Sequence, residues 1–189
     1  MASLASAALA GTIQGEVATI LATDQKNAVI YIDSVPGLHY EPPAEPALID
    51  QRGLQFIPRV LPVLEGTTVS FRNSDSILHN VFTPGQGGES YDLGTWPLGE
   101  TRAMVFDRSR SGPRVAVMLC KVHPEMAAYV IVLGNPFFAV SDSLGLFQLT
   151  DIPAGTYTLR TWHEFLPPTL RPVTIGRDDT LNLLLELGE

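Results

Sequence analysis

Seven residues in the second half of the chain constrain it more than any other feature. The stretch Cys120-Lys121-Val122-His123-Pro124-Glu125-Met126 holds the single cysteine, one of four histidines and one of four methionines. Two residues separate the cysteine from the histidine, and two more separate the histidine from the methionine. This spacing lets one tight loop turn a thiol, an imidazole and a thioether towards a single point.

Thiolate, imidazole and thioether are soft donors that select copper, and a blue-copper site needs a second imidazole beside the thiolate. His79 can supply it from a neighbouring strand. Two other interpretations use the same residues. They could be ordinary core side chains, although a proline-containing loop after an apolar strand is a poor place for them. Cys120 and His123 could form a catalytic pair facing a substrate across a cleft, but such close neighbours favour shared coordination.

The segment from Leu48 to Leu133 resembles a cupredoxin, the family of type 1 blue copper proteins. Within that family, its ligand loop is most similar to that of amicyanin and pseudoazurin. The resemblance covers less than half of the chain. The segments that carry it are Glu65–Phe71, His79–Val81, Leu98–Thr101 and Cys120–Met126.

The resemblance implies a Greek-key β-sandwich and a role for each residue of the motif. The implied ligands of one type 1 copper ion are His79, Cys120 and His123 in the equatorial plane and Met126 on the axis. Asn80 would hydrogen-bond towards the cysteine loop and fix its geometry. The residue after the ligand cysteine is often small and hydroxylic in this family, whereas here it is Lys121.

The rest of the sequence predicts short strands. The chain has 15 prolines and 16 glycines among 189 residues, and its apolar runs are short, which is typical of many strands joined by turns. Pro62 lies inside the predicted strand 60–64 and indicates that this strand lies at a sheet edge. With no convincing amphipathic helix, we expect an all-β chain built as an antiparallel β-sandwich.

The segment after Asn135 has a different pattern. It contains an Asp-x-x-Gly-x-Phe turn and strand within 140–149, followed by a Pro-x-Gly-x-Tyr corner. Both features resemble the carboxypeptidase regulatory-like, transthyretin-like β-sandwich. That family begins with two strands that residues 136–189 lack, while residues 12–32 contain two β-rich runs joined by a polar turn, which is typical of a hairpin.

These patterns together predict two domains. A cupredoxin domain, residues 47–134, would be inserted into a smaller β-sandwich made of residues 11–36 and 136–189. The proline-rich stretch 35–46 would be a semi-rigid linker. The strands of residues 12–32 would then share a sheet with strands of 136–189, because an isolated hairpin is only marginally stable.

Charge and apolar content restrict the partners. The net charge is −8 and no basic patch is evident, which argues against nucleic acid and suits a basic redox protein. No apolar run reaches the length of a membrane span. Ala8-Leu9-Ala10 has the small-x-small form of a signal-peptidase site. We expect a trimmed signal, and hence a periplasmic or extracytoplasmic protein, although a frayed alanine-rich end is the other interpretation.

We therefore expect a mononuclear copper protein that carries single electrons and is not an enzyme. The other histidines, His39 in the linker and His163 in Trp162-His163-Glu164, are expected to be solvated and structural, respectively. They are too few for the catalytic cluster of a multicopper oxidase. The alternatives are a copper chaperone or store, which favours exposed and exchangeable ligands, and a structural or interaction module with an incidental metal.

Electrons are expected to enter and leave at the exposed edge of His123. A small apolar patch would surround it, since transient redox encounters bury little area. The residues placed to form this patch are Pro84, Pro124 and Ala127. The acidic residues Glu125 and Glu89 would steer a basic partner at a rate that depends on ionic strength.

Overall fold

The computed structural model describes residues 10–19, 25–84, 91–107 and 114–188, and these ranges contain strands and no helix. The expectation of an all-β chain is confirmed. The strands, in chain order, are β1 (Ala10–Thr19), β2 (Val29–Ile32), β3 (Ala47–Gln51), β4 (Phe56–Ile57), β5 (Val60–Leu64), β6 (Thr67–Asn73), β7 (His79–Thr83), β8 (Tyr91–Trp96), β9 (Thr101–Phe106), β10 (Arg114–Leu119), β11 (Ala127–Leu133), β12 (Phe138–Val140), β13 (Leu146–Pro153), β14 (Gly155–Trp162), β15 (Leu170–Ile175) and β16 (Thr180–Leu187).

The chain divides into two compact units. The first consists of Met1–Pro36 and Phe137–Glu189, and the second of Gly37–Pro136. Residues 37–46, expected as part of a linker, are thus grouped with the second unit. Within the described ranges, no helix combines the length and apolar character needed to cross a membrane.

The second unit consists of two sheets that share one core. Five strands form one sheet in the order β5-β11-β10-β7-β8, and four form the other in the order β4-β3-β6-β9. Alternate side chains of β6, including Val69 and Phe71, are buried, as a strand with one face in a core requires. Trp96 and Met118 of the other sheet belong to the same buried cluster. Pro62 lies in edge strand β5, as predicted.

The first unit consists of a three-stranded sheet, β13-β1-β16, and a four-stranded sheet, β12-β2-β14-β15. β1 is antiparallel to β13 and parallel to β16, while β2 is antiparallel to β12 and β14. The two N-terminal strands therefore pair with strands of the C-terminal segment. The expected hairpin is wrong, because β1 and β2 lie in different sheets. The sequence indicated partners within 136–189 but not that each of the two strands joins a different sheet.

Both motifs of the C-terminal segment adopt defined turns. The Asp142 carboxylate accepts the N–H groups of Leu144 and Leu146 at 2.8 and 2.9 Å. Gly145 has a φ of +80°, which explains the glycine of the first motif. In the second, the Tyr157 hydroxyl donates to the carbonyl of Pro153 at 2.9 Å and ties the ends of β13 and β14. That the unit belongs to the carboxypeptidase regulatory-like family stays a prediction.

Candidate metal centre

Three neighbouring strands bring the predicted ligands to one end of the five-stranded sheet. His79 is the first residue of β7, and Cys120 directly follows β10. β7 and β10 are antiparallel neighbours, so the start of one lies beside the end of the other. The Met126 N–H then donates to the carbonyl of His123 at 3.0 Å and closes the loop that leads into β11.

Two imidazoles and the thiol converge at this end of the sheet. The Nδ1 atoms of His79 and His123 are 3.1 Å apart, and Cys120 Sγ lies 3.9 Å from Nδ1 of His123. One donor atom from each of the three residues lies within 4.8 Å of the others. An ion that bonds nitrogen and sulfur at about 2.0–2.3 Å fits between donors at such separations. This donor group contains no carboxylate, which suits a soft metal better than magnesium or calcium.

Burial differs among the four residues predicted as ligands. His79 and Cys120 are 0% and 2% exposed, whereas His123 is only half-buried. Met126 is 1% exposed and lies in the same core cluster as Cys120. The structure thus brings His79, Cys120 and His123 together, while an axial role for Met126 stays a prediction.

The outer nitrogen of His79 has a partner that the sequence analysis missed. His79 Nε2 lies 2.9 Å from Oδ2 of Asp75. An ionised carboxylate can only accept a hydrogen bond, so Nε2 carries the proton and the lone pair of Nδ1 faces the space between the other ligand atoms. A carboxylate in this position fixes the tautomer and the ring orientation of a ligating imidazole.

A strained turn holds that carboxylate. The N–H groups of Gly53 and Leu54 donate to Asp75 Oδ1 and Oδ2 at 2.8 and 3.1 Å. Both residues are left-handed, with φ of 63° and 60°, a conformation that costs a non-glycine residue about 1 kcal/mol or more. Burial opposes ionisation of Asp75, but the two N–H groups and His79 prevail and lower the pKa of the carboxyl.

Asn80 connects the two ligand segments directly. Its backbone N–H points at Cys120 Sγ at 3.5 Å, and its side-chain Oδ1 accepts the N–H of Lys121 at 3.2 Å. The contact predicted between Asn80 and the cysteine loop is therefore present. The buried Gln51 side chain donates to the Asn80 carbonyl at 3.3 Å, a further contact that the sequence did not indicate.

A carboxylate from β8 stands behind Asn80. Asp92 accepts from the Asn80 Nδ2 at 2.8 Å through one oxygen and from the Lys121 ammonium at 2.6 Å through the other. Hydrogen bonds from Lys121, the Gly94 N–H and Asn80, in that order, lower the pKa of Asp92 to about 2. Lys121 thus links the cysteine loop to the His79 segment through its ion pair with Asp92. Cupredoxins often have a hydroxyl side chain at this position.

Asp75 and Asp92 were missed because an isolated aspartate in a turn or strand is indistinguishable from a solvated one. One sequence signal could have found Asp75. That signal is its position four residues before His79 in a polar loop. In the structure, the Asn73 side chain accepts the Asp75 N–H at 2.8 Å. No local signal exists for Asp92, because only the pairing of β7 with β8 brings it beside Asn80.

The remaining candidate residues lie outside the donor group. His39 is exposed and faces Glu41 at 3.3 Å. His163 is buried, and its Nδ1 accepts the N–H of Phe165 at 3.3 Å. The exposed edge of His123, where electrons are expected to enter and leave, is called the electron port. Of the residues expected around it, Pro84, Pro124 and Glu125 are exposed and Ala127 is half-buried. Glu89, Ala8 and Leu9 lie outside the described residues.

The depressed carboxyl pKa values predict an acid dependence for the metal-free protein. A group whose folded pKa is lowered stabilises the fold above its unfolded pKa, near 3.9, and this stabilisation is lost as pH falls through the folded value. For Asp92 this window extends from about 3.9 down to about 2. We expect the free energy of unfolding, measured in urea, to fall across it. The loss should be smaller in Asp92→Asn, and an identical profile would contradict the assignment.

Comparison with known proteins gives similarities of fold. No protein-family model matches the chain, and no curated protein sequence is significantly similar to it. A variant of oxidised amicyanin is 20% identical, with a TM-score of 0.43, over 49% of this chain and 86% of that chain. A purple cupredoxin from Nitrosopumilus maritimus is 24% identical, with a TM-score of 0.39, over 46% of this chain and 98% of that chain.

A third similar structure is a larger protein. The copper-containing nitrite reductase of Thermus scotoductus SA-01 is 24% identical, with a TM-score of 0.43. The match covers 64% of this chain and 28% of that chain, so this chain spans less than a third of the reductase. These similarities concern the fold, and the donor group with its hydrogen bonds carries the functional argument.

Proposed function

We propose that this chain is a mononuclear type 1 copper protein that carries single electrons between redox partners. The observation that supports it best is the convergence of His79, Cys120 and His123 donor atoms within 4.8 Å. The proposed ligand set is His79, Cys120 and His123 with Met126 as the weak axial donor. Copper bound to such donors supplies one-electron redox chemistry with a highly covalent thiolate bond.

The protein's own contribution is to hold these donors in one place. His79 is fixed from behind by Asp75, and Cys120 is fixed by the Asn80 N–H. Donors held in this way would rearrange little between the two oxidation states of copper, which suits outer-sphere electron transfer. We assign no residue a catalytic role. We also propose a periplasmic or extracytoplasmic location.

Burial favours a carrier over a copper chaperone or store. A chaperone needs exposed donors that a partner can replace, whereas His79 is 0% and Cys120 2% exposed. A chelator in excess should therefore remove the metal slowly. Rapid and complete removal would favour delivery or storage instead.

The direct experiment is titration of metal-free protein with copper(II). We expect saturation at one equivalent, an intense thiolate-to-copper band and an EPR signal typical of a covalent thiolate site. Zinc suits the same donors, so the protein must first be stripped of it. His39→Ala is the matched control, because this imidazole is exposed and outside the donor group. Absence of the band at saturation would contradict the proposal.

The electron port can be tested separately. His123 is the half-buried donor, and the exposed Pro124 lies beside it in the loop, so the proposed route leaves at this edge. Ala127→Glu adds a bulky charge at the start of β11. We expect electron exchange with a redox protein to slow by about tenfold, because interface changes alter association rates by one to three decades, while the copper spectrum stays unchanged.

The control for this port carries the same charge change at the other end of the unit. Val105 is 50% exposed and lies in β9, next to the residue that pairs with Thr67 at the start of β6. Val105→Glu should leave the exchange rate unaltered. Equal rates in the Ala127→Glu variant and the original protein would exclude this port.

A further inference from the structure

Lys121 occupies an unusual place for a charged side chain. It follows Cys120 directly, and its ammonium group has two partners within the protein. It donates to Asp92 Oδ2 at 2.6 Å and lies 5.2 Å from the centre of the Phe82 ring. Asp92 and Phe82 belong to β8 and β7, the pair of strands that carries His79. The side chain therefore spans from the cysteine loop to the strands of the first ligand.

Asp92 passes this connection on to Asn80. Its Oδ1 accepts from Asn80 Nδ2 at 2.8 Å and from the Gly94 N–H at 2.9 Å, and Asn80 Nδ2 also donates to the Gly94 carbonyl at 2.7 Å. With both protons of Nδ2 held, the amide has one orientation. Its Oδ1 must then face the Lys121 N–H, where it is found at 3.2 Å.

We infer that Asp92 and Lys121 are positioning residues that lock the Asn80 side chain and, through it, the segment that carries Cys120. The inference rests on the proposed copper site and specifies how its thiolate is held. Asn80 contacts that segment twice, through its N–H at Cys120 Sγ and through its amide oxygen at Lys121. A change in the amide's orientation would therefore shift the sulfur relative to the two imidazoles.

A purely structural role for the ion pair would have a different signature. The Lys121 and Asp92 side chains are 57% and 45% exposed, and exposed pairs contribute little to stability. Loss of the ammonium in Lys121→Met should thus change the unfolding midpoint of the metal-free protein little at neutral pH, whereas changes at Asp92 also alter the acid dependence described above. An effect confined to the copper spectrum, the reduction potential and the copper release rate indicates positioning.

The test uses graded variants of the full chain loaded with copper(II). Lys121→Met removes the ammonium and keeps the apolar stem over Phe82. Asp92→Asn keeps an oxygen for Asn80 and Gly94 but presents an amide to Lys121. Each should speed copper release to a chelator severalfold and shift the thiolate-to-copper band. Asp92→Ala also releases Asn80, which itself contacts Cys120, and here we expect about tenfold faster release, the lower end of the effect of changing a partner of a metal ligand.

Coupling between the two residues is the decisive measurement. Because both single changes break the same link, Lys121→Met combined with Asp92→Asn should release copper no faster than either alone. Lys121→Arg retains the charge and should restore the original band. In the metal-free protein, the Asn80 side-chain protons should exchange with solvent faster in Asp92→Ala.

The matched control is a second exposed ion pair of the same unit. Arg102 and Glu100 are 2.9 Å apart and 45% and 48% exposed, and the Arg102 guanidinium lies over the Trp96 ring. Arg102→Met should leave band and release rate unchanged. Variants at Lys121 and Asp92 that match the original protein, or effects that add independently, would overturn the inference. Absence of the band in the original protein would instead contradict the copper site itself.

Discussion

Replacement of Cys120 by serine is expected to abolish the intense thiolate-to-copper band while the protein keeps its fold. The absorption comes from the covalent bond between sulfur and copper, and a hydroxyl cannot form it. Serine is close to isosteric with cysteine, and its oxygen can still accept the Asn80 N–H that points at Sγ. The change therefore removes one donor and little else.

Copper affinity should fall with the band in this variant. Two imidazoles remain, so weak binding with the spectrum of a nitrogen-ligated copper(II) ion is the expected result. Unfolding of the metal-free variant in urea should match that of the original protein within about 1 kcal/mol, because one weak hydrogen bond is exchanged for another. A Cys120→Ser variant that retains the full band would show that the thiolate is not a ligand.

A second variant separates the axial position from the rest. Met126 is 1% exposed and shares the core cluster with Cys120, so Met126→Leu conserves volume and burial. We expect this variant to keep an intense band at shifted energy, since a weak axial donor tunes the site without creating the thiolate bond. Comparison of the two variants therefore tests the whole proposed ligand set and not only its strongest member.

The strand pattern was largely predictable because it depends on local chemistry. Short apolar runs separated by many prolines and glycines indicated an all-β chain, and Pro62 identified an edge strand from its missing N–H. Pairing depends on distant residues. β1 and β2 were read as a hairpin with partners in 136–189, but nothing in 12–32 indicates that the two strands join different sheets.

The same distinction between local and distant information applies to the residues of the site. Three soft donors at fixed spacing in one loop are rare, so sequence alone indicated Cys120, His123 and the distant His79. The residues that support them are ordinary aspartates, and only folding gives them a role. Leu54 illustrates the limit, because its left-handed backbone, which aims an N–H at Asp75, is not expected from its residue type.

Asp75 is expected to matter nearly as much as a ligand. Asp75→Ala leaves the buried Nε2 of His79 without its acceptor and also frees the N–H groups of Gly53 and Leu54. Loss of such a carboxylate partner typically lowers metal affinity by about 10- to 100-fold, and we expect a reduction of this size in a copper competition titration. Unfolding of the metal-free variant should also become easier by about 2 kcal/mol, because hydrogen bonds to a charged group are lost.

The reduction potential distinguishes an electronic role for Asp75 from a merely structural one. The carboxylate adds negative charge behind the His79 imidazole, and this charge favours copper(II) over copper(I). Removal of the charge in Asp75→Asn should therefore raise the reduction potential and shift the thiolate band. Asp75→Glu, which keeps the charge, should restore part of the original value.

The control for this prediction is the carboxylate of Asp50 in β3. Arg72 and Ser74 hydrogen-bond to it at 3.1 and 2.6 Å, and it is 7% exposed, so it is as firmly held as Asp75. Its hydrogen bonds involve none of the proposed ligands. Asp50→Asn should destabilise the metal-free protein and leave the potential of the copper-loaded protein unchanged. If Asp75→Asn shifts the potential no more than Asp50→Asn does, the carboxylate only supports the loop and does not tune His79.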